Sequence, residues 1–226
     1  MSLLTSEGRR MYVHFHPVTT VLLTLNALMV IVVLWFGGFG LEVLVETGAI
    51  WPPLLTVGGQ WYRLVTAMFL HGSLLHFLMN SLVLYYLGSH LERLLGGFKF
   101  GVFYMVSGIV SSLAVVWLGN QNAVTIGASG ALFGVIGALL YLTYVRPTWF
   151  QGAAIRQIRQ LVIINLVLTF AIPNISVTGH IGGFLAGLLL ITLLVPKNPD
   201  YIKKVIRLRR QQAEEAADKE NDTWVS

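Results

Sequence analysis

Four side chains in this apolar chain have types and spacings that suggest chemistry: Ser129, His180, His76 and Asn80. Ser129 lies in AVTIGASGALFGVIGALLYL (123–142), just after Gly127 and directly before Gly130. His76 and Asn80 belong to FLHGSLLHFLMNSLVLYY (69–86), and His180 to ISVTGHIGGFLAG (175–187). A serine hydroxyl with an imidazole in reach makes a nucleophile and its general base. His76 and Asn80 are four residues apart, so on a helix they share one face. Both can donate a hydrogen bond to a developing oxyanion. No carboxylate falls in the apolar segments beside them, so a Ser-His dyad is the form this chemistry can take.

Each residue also has a plainer reading. A serine in a membrane helix commonly bonds back to its own backbone. Glycine spacing more often serves packing, and a single intramembrane histidine can be a structural hydrogen bonder, the role that suits His71. Zinc held by His71, His76 and His180 is the alternative chemistry, but no HExxH and no nearby acid would supply its base. The dyad is favoured because the whole set falls at one side of the membrane.

That placement follows from the elements. The chain has 226 residues, 55% of them hydrophobic and 11% charged, too apolar for a soluble domain of this length. Cysteine is absent, which excludes disulfides and thiolate chemistry. A bilayer core takes about 20 apolar residues per helix. On that measure the chain is an all-α membrane protein with six transmembrane helices, near 18–36, 64–87, 100–118, 124–145, 158–172 and 176–195. The first is a retained helix rather than a cleaved signal. Residues 1–196 form one membrane domain, with an outer interfacial loop at about 37–63 anchored by Trp51 and Trp61. Residues 197–226 form a tail, basic first and acidic later, suited to a helix touching anionic headgroups.

Every lysine and arginine except Arg63 falls before the first helix, between the second and third, between the fourth and fifth, or after the sixth. The positive-inside rule then makes both termini cytoplasmic. With that orientation His76 is expected roughly twelve residues into the second helix, about 15–18 Å down its axis. Ser129 and His180 are expected four or five residues into theirs, about 6–8 Å. All face outer water, whereas His90 and Glu92 lie at the cytoplasmic end. Gly130 and Gly134, with Gly179, Gly183 and Gly187, follow small-xxx-small spacing that lets the fourth and sixth helices approach closely. Gly127 and Gly130 clear bulk around Ser129, and the helix start offers an unpaired N–H.

In its GASG (127–130), HFLMN (76–80), GHIGG (179–183) and Trp61-Tyr62-Arg63 segments the chain resembles the rhomboid intramembrane serine proteases, in their six-helix bacterial form. The resemblance runs from the first helix to Val195. It implies a six-helix rhomboid-type bundle, Ser129 as nucleophile, His180 as general base and acid, and His76 and Asn80 at the oxyanion. It implies structural roles for Glu92, His71 and the loop bearing Trp61 and Arg63. Phe133 stands where many relatives carry a tyrosine stacked on the histidine, which keeps the ring contact and loses the hydroxyl. Gly183 joins Gly127, Gly130 and Phe133 as supporting residues. The implied activity is cleavage of single-span membrane proteins near the outer face of a bacterial plasma membrane. Such a cut requires local unwinding, because a helix hides its carbonyls. Partners are transmembrane substrates and lipids, with no nucleic acid, no cofactor and no metal. The oligomeric state stays open. A catalytically silent relative that binds membrane clients is the other function this set allows, and a histidine-based transporter a third.

Overall fold

The computed structural model describes residues 6–173, 175–208, 211 and 214. Apolar segments without water close their own backbone hydrogen bonds as helices, and here they build an all-α membrane bundle. In chain order the helices are α1 (Ser6–Phe15), α2 (Pro17–Trp35), α3 (Leu41–Glu46), α4 (Pro52–Thr56), α5 (Arg63–Thr66), α6 (Leu74–Val83), α7 (Ser89–Leu95), α8 (Gly97–Leu118), α9 (Ser129–Val145), α10 (Gly152–Ala171) and α11 (Val177–Leu194). Four of them, α2, α8, α10 and α11, are individually long and apolar enough to cross a membrane. The pair formed by Arg63–Phe69 and Leu74–Leu95 reaches that length only as a bent unit, and α9 has 17 residues.

The second expected helix, 64–87, is therefore corrected. It breaks at Leu70–Ser73, and its two arms meet at 94°. Ser73 causes the restart: its extended backbone leaves the helix, and its Oγ accepts the His76 N–H as an N-cap. From Leu74 the helix runs through a π-helical turn at Leu84–Gly88 to Leu95. The fourth helix begins at Ser129 rather than near 124, because Gly127 has φ of 122°, a left-handed backbone in which a side-chain-bearing residue is strained. The fifth begins earlier than expected, at Gly152, with Arg156 and Arg159 inside it.

The core is organised around α9. Most of its residues are buried, and α8, α11 and the α6–α7 rod surround it. A helix enclosed by others meets little lipid, so it need not match the bilayer as α8 does with 22 residues. Where α9 meets α11, a Cβ added to Gly183 would lie 2.0 Å from the carbonyl oxygen of Gly130, and one on Gly187 2.1 Å from that of Gly134. The two backbones touch, which only glycine permits.

Buried charges lock both ends. Glu92, 2% exposed, accepts the Val18 and Thr19 N–H groups, each at 2.8 Å, and the Thr19 hydroxyl at 2.6 Å. A carboxylate thus caps the start of α2, satisfying orphan donors and meeting the positive end of the helix dipole. Arg63, 4% exposed, donates to the carbonyls of Val45 and Ala49 at 2.6 and 2.9 Å, and to Gln60 Oε1 at 2.7 Å. It ties α5 to the segment 37–62, which holds the short helices α3 and α4. Trp61 lies against Trp117, their rings 6.4 Å apart. In the tail, residues 200–208 are helical; the acidic stretch from 215 onward lies outside the described residues.

Candidate active site

Three helix starts converge. Ser129 is the first residue of α9, His180 the fourth of α11 and His76 the third of α6. His76 is thus near its helix start, not a dozen residues in, because the break at Leu70–Ser73 resets the count. This places the positive ends of three helix dipoles around one spot, a setting that favours negative charge.

Ser129 Oγ lies 2.9 Å from His180 Nε2, within hydrogen-bond reach. Phe133, one turn along α9 from the serine, stacks on the imidazole with centroids 4.0 Å apart and planes 18° from parallel. The stack fixes the ring plane, and no hydroxyl is needed for it. The pair lies at the wall of a cavity of about 580 Å³, also lined by His76, Asn80, Gly127 and Thr169. A Cβ on Gly127 would fall 3.0 Å from the His76 ring and 3.5 Å from Ser129 Oγ. That residue must be glycine for both its backbone and its neighbours. Gly130 serves packing as well: its added Cβ would meet the Ser111 hydroxyl, which itself donates to the Gly179 carbonyl at 2.7 Å.

Asn80 is 8% exposed, and its Nδ2 has no hydrogen-bond partner among the described residues. A buried amide donor left free in this cavity is costly unless something else uses it. His76 takes the Gly72 N–H on Nδ1 at 3.4 Å, a long contact, and its Nε2 edge faces Gly127.

A family model for the rhomboid domain matches residues 58–197. The chain belongs to the rhomboid family. It is 35% identical over 171 residues to the Bacillus subtilis protein named rhomboid protease GluP, covering 75% of this chain and 33% of that one. It is 30% identical over 198 residues to the putative rhomboid protease YdcA of the same organism, covering 85% and 96%. With RHOMBOID-like protein 5 of Arabidopsis thaliana it shares 34% identity over 174 residues, covering 73% and 56%. The chain thus spans about a third of the first relative and about half of the plant one. As a rhomboid it is a multi-pass integral membrane protein.

Elsewhere in this rhomboid, His71 is 1% exposed and packs edge-on against His76 and Phe77, with centroids 5.2 and 5.5 Å away. It backs the His76 ring and does not reach Ser129 or His180 in any hydrogen bond among the described residues. One site residue escaped the sequence reading. Thr169 of α10 is buried, and its Oγ1 lies 2.9 Å from His180 Nδ1. No motif marks it; the only hint is a hydroxyl near the end of a span that precedes the histidine.

Proposed function

We propose that this rhomboid is an intramembrane serine endopeptidase that cuts single-span membrane proteins by a Ser129–His180 dyad. The observation that carries the reading is the 2.9 Å contact between the hydroxyl and Nε2, beside a cavity large enough to admit a segment of extended peptide. His180 removes the Ser129 proton as Oγ attacks the scissile carbonyl, then returns it to the leaving amine. The oxyanion is met by Asn80 Nδ2, the His76 ring and the N–H groups opening α9, donors already aimed and desolvated. Phe133 and Gly183 hold the histidine, and Gly127 clears the approach. The names of the two Bacillus subtilis relatives favour a protease over a client-binding relative.

Six segments span the membrane in this reading: α2, the α6–α7 rod, α8, the enclosed α9, α10 and α11. Residues 1–196 make the protease domain and 197–226 a cytoplasmic tail. The lysines and arginines put both termini in the cytoplasm, so the dyad opens toward the outer face of a bacterial plasma membrane. Substrates are then helices whose outer ends unwind readily, with small or helix-breaking residues at the cut.

The test is labelling by a fluorophosphonate probe together with co-expression with tagged single-span proteins. The wild type is expected to label and to cleave, and Ser129→Ala and His180→Ala to do neither. Equal labelling of the three proteins overturns the proposal.

A further inference from the structure

The dyad leaves one polar contact unassigned. Thr169 is 2% exposed, and its Oγ1 stands between two atoms: His180 Nδ1 at 2.9 Å and the Asn165 carbonyl oxygen at 2.7 Å. A threonine hydroxyl has one proton to give. The Asn165 carbonyl can only accept, so the Thr169 O–H is directed there, one turn back along α10. Its remaining lone pairs face Nδ1. A ring nitrogen beside an oxygen whose proton points away carries the hydrogen itself. The neutral imidazole then keeps its free lone pair on Nε2, where Ser129 Oγ stands.

We infer that Thr169 is a positioning residue that holds His180 in its Nδ1–H tautomer, in a relay running from Ser129 O–H through the imidazole and Thr169 to the Asn165 carbonyl. The inference rests on the dyad reading above. As the bond from Oγ to the substrate carbon forms, the serine proton passes to Nε2. The imidazolium keeps its Nδ1 proton bonded to Thr169 Oγ1, and the Nε2 proton later leaves with the amine. Thr169 neither gains nor loses a proton in either step. The Phe133 stack cannot do this work, because it touches the ring face and makes the same contact whichever nitrogen carries the proton. Nor does the serine choose, since a hydroxyl donates and accepts equally well. Thr169 alone, among the described hydrogen-bond partners of the ring, has its proton committed elsewhere.

The test compares wild type, Ser129→Ala, Thr169→Val and Thr169→Ser, full-length and purified in detergent, by cleavage kinetics on one single-span substrate. Ring nitrogen NMR of ¹⁵N-histidine protein at neutral pH gives a second readout, with the His180 signals assigned by their loss in His180→Ala. Wild type is expected to show the Nδ1–H tautomer. Thr169→Val is expected to lose about tenfold in kcat with KM held, and to show mixed tautomers, as one neutral hydrogen bond is removed. Thr169→Ser restores both. A wild-type His180 protonated on Nε2 overturns the inference without any variant. So does a kcat loss in Thr169→Val with the tautomer unchanged, which would mark a packing role, and so does a wild-type kcat in that variant. Wild-type cleavage that persists in Ser129→Ala, or no cleavage at all, brings down the proposed function instead, while the tautomer is still read directly.

Discussion

The two sides of His180 are built differently. On one, α11 lies on α9 through glycines whose neighbouring carbonyls fill the space a Cβ would need. On the other, α10 leans against the bundle with only 17% of its apolar window buried, against 44% for α8, and residues such as Ile163 and Val167 face outward. The first contact has no slack, since moving either helix inward collides backbone with backbone. The second is sparsely packed, yet it presents Thr169 to the imidazole. A site that needs sub-ångström alignment of two side chains places both on the stiff seam. What the loose helix supplies is a hydrogen bond, which tolerates small displacement better than a packed interface does.

Substitutions at the seam should break this contrast most severely. Gly183→Val drives a branched side chain into Gly130 and separates the hydroxyl from the imidazole; cleavage should fall by about 100-fold or more, since a shift near 1 Å costs that much. Asn80→Ala, facing the same cavity from α6, should lower kcat by about 100-fold while the thermal unfolding midpoint holds, the pattern of a lost oxyanion donor. Gly187→Ala lies one turn further from the dyad. It should destabilise by about 1–3 kcal/mol through overpacking against Gly134, read by denaturant titration in mixed micelles, with a smaller loss of rate than Gly183→Val. On the loose side, Ile163→Ala, at a residue 62% exposed, should change stability by no more than about 0.5 kcal/mol and leave the rate near wild type. An α10 substitution as damaging as Gly183→Val would show that the two sides are not mechanically distinct.

Much of the bundle was legible because hydropathy is a local property. The limits of α2 and α11 fall within a residue or so of the apolar runs. The second helix departs from its apolar run for a local reason of another kind. Leu70-His71-Gly72-Ser73 contains no proline, and its apolar flanks join into one run if composition alone is weighed. The cue was Ser73 followed three residues later by His76, an N-cap in mid-run. Because of that cap His76 stands at a helix start and not deep in a span. Thr169 was illegible for a different reason. It lies eleven residues before His180 across the turn between two helices, and no periodicity relates the two positions.

By itself the sequence determined which segments are apolar, where the glycines permit contact, and which few polar side chains were available for chemistry. These follow from solvent exclusion and from the absence of a Cβ, properties each residue carries alone. The tertiary structure decided the 94° break before α6, the 2.9 Å meeting of Ser129 with His180, and the arrival of Thr169 behind the ring. Each of those depends on how helices far apart in the chain are rotated and shifted against one another, and that is set by packing summed over the whole bundle.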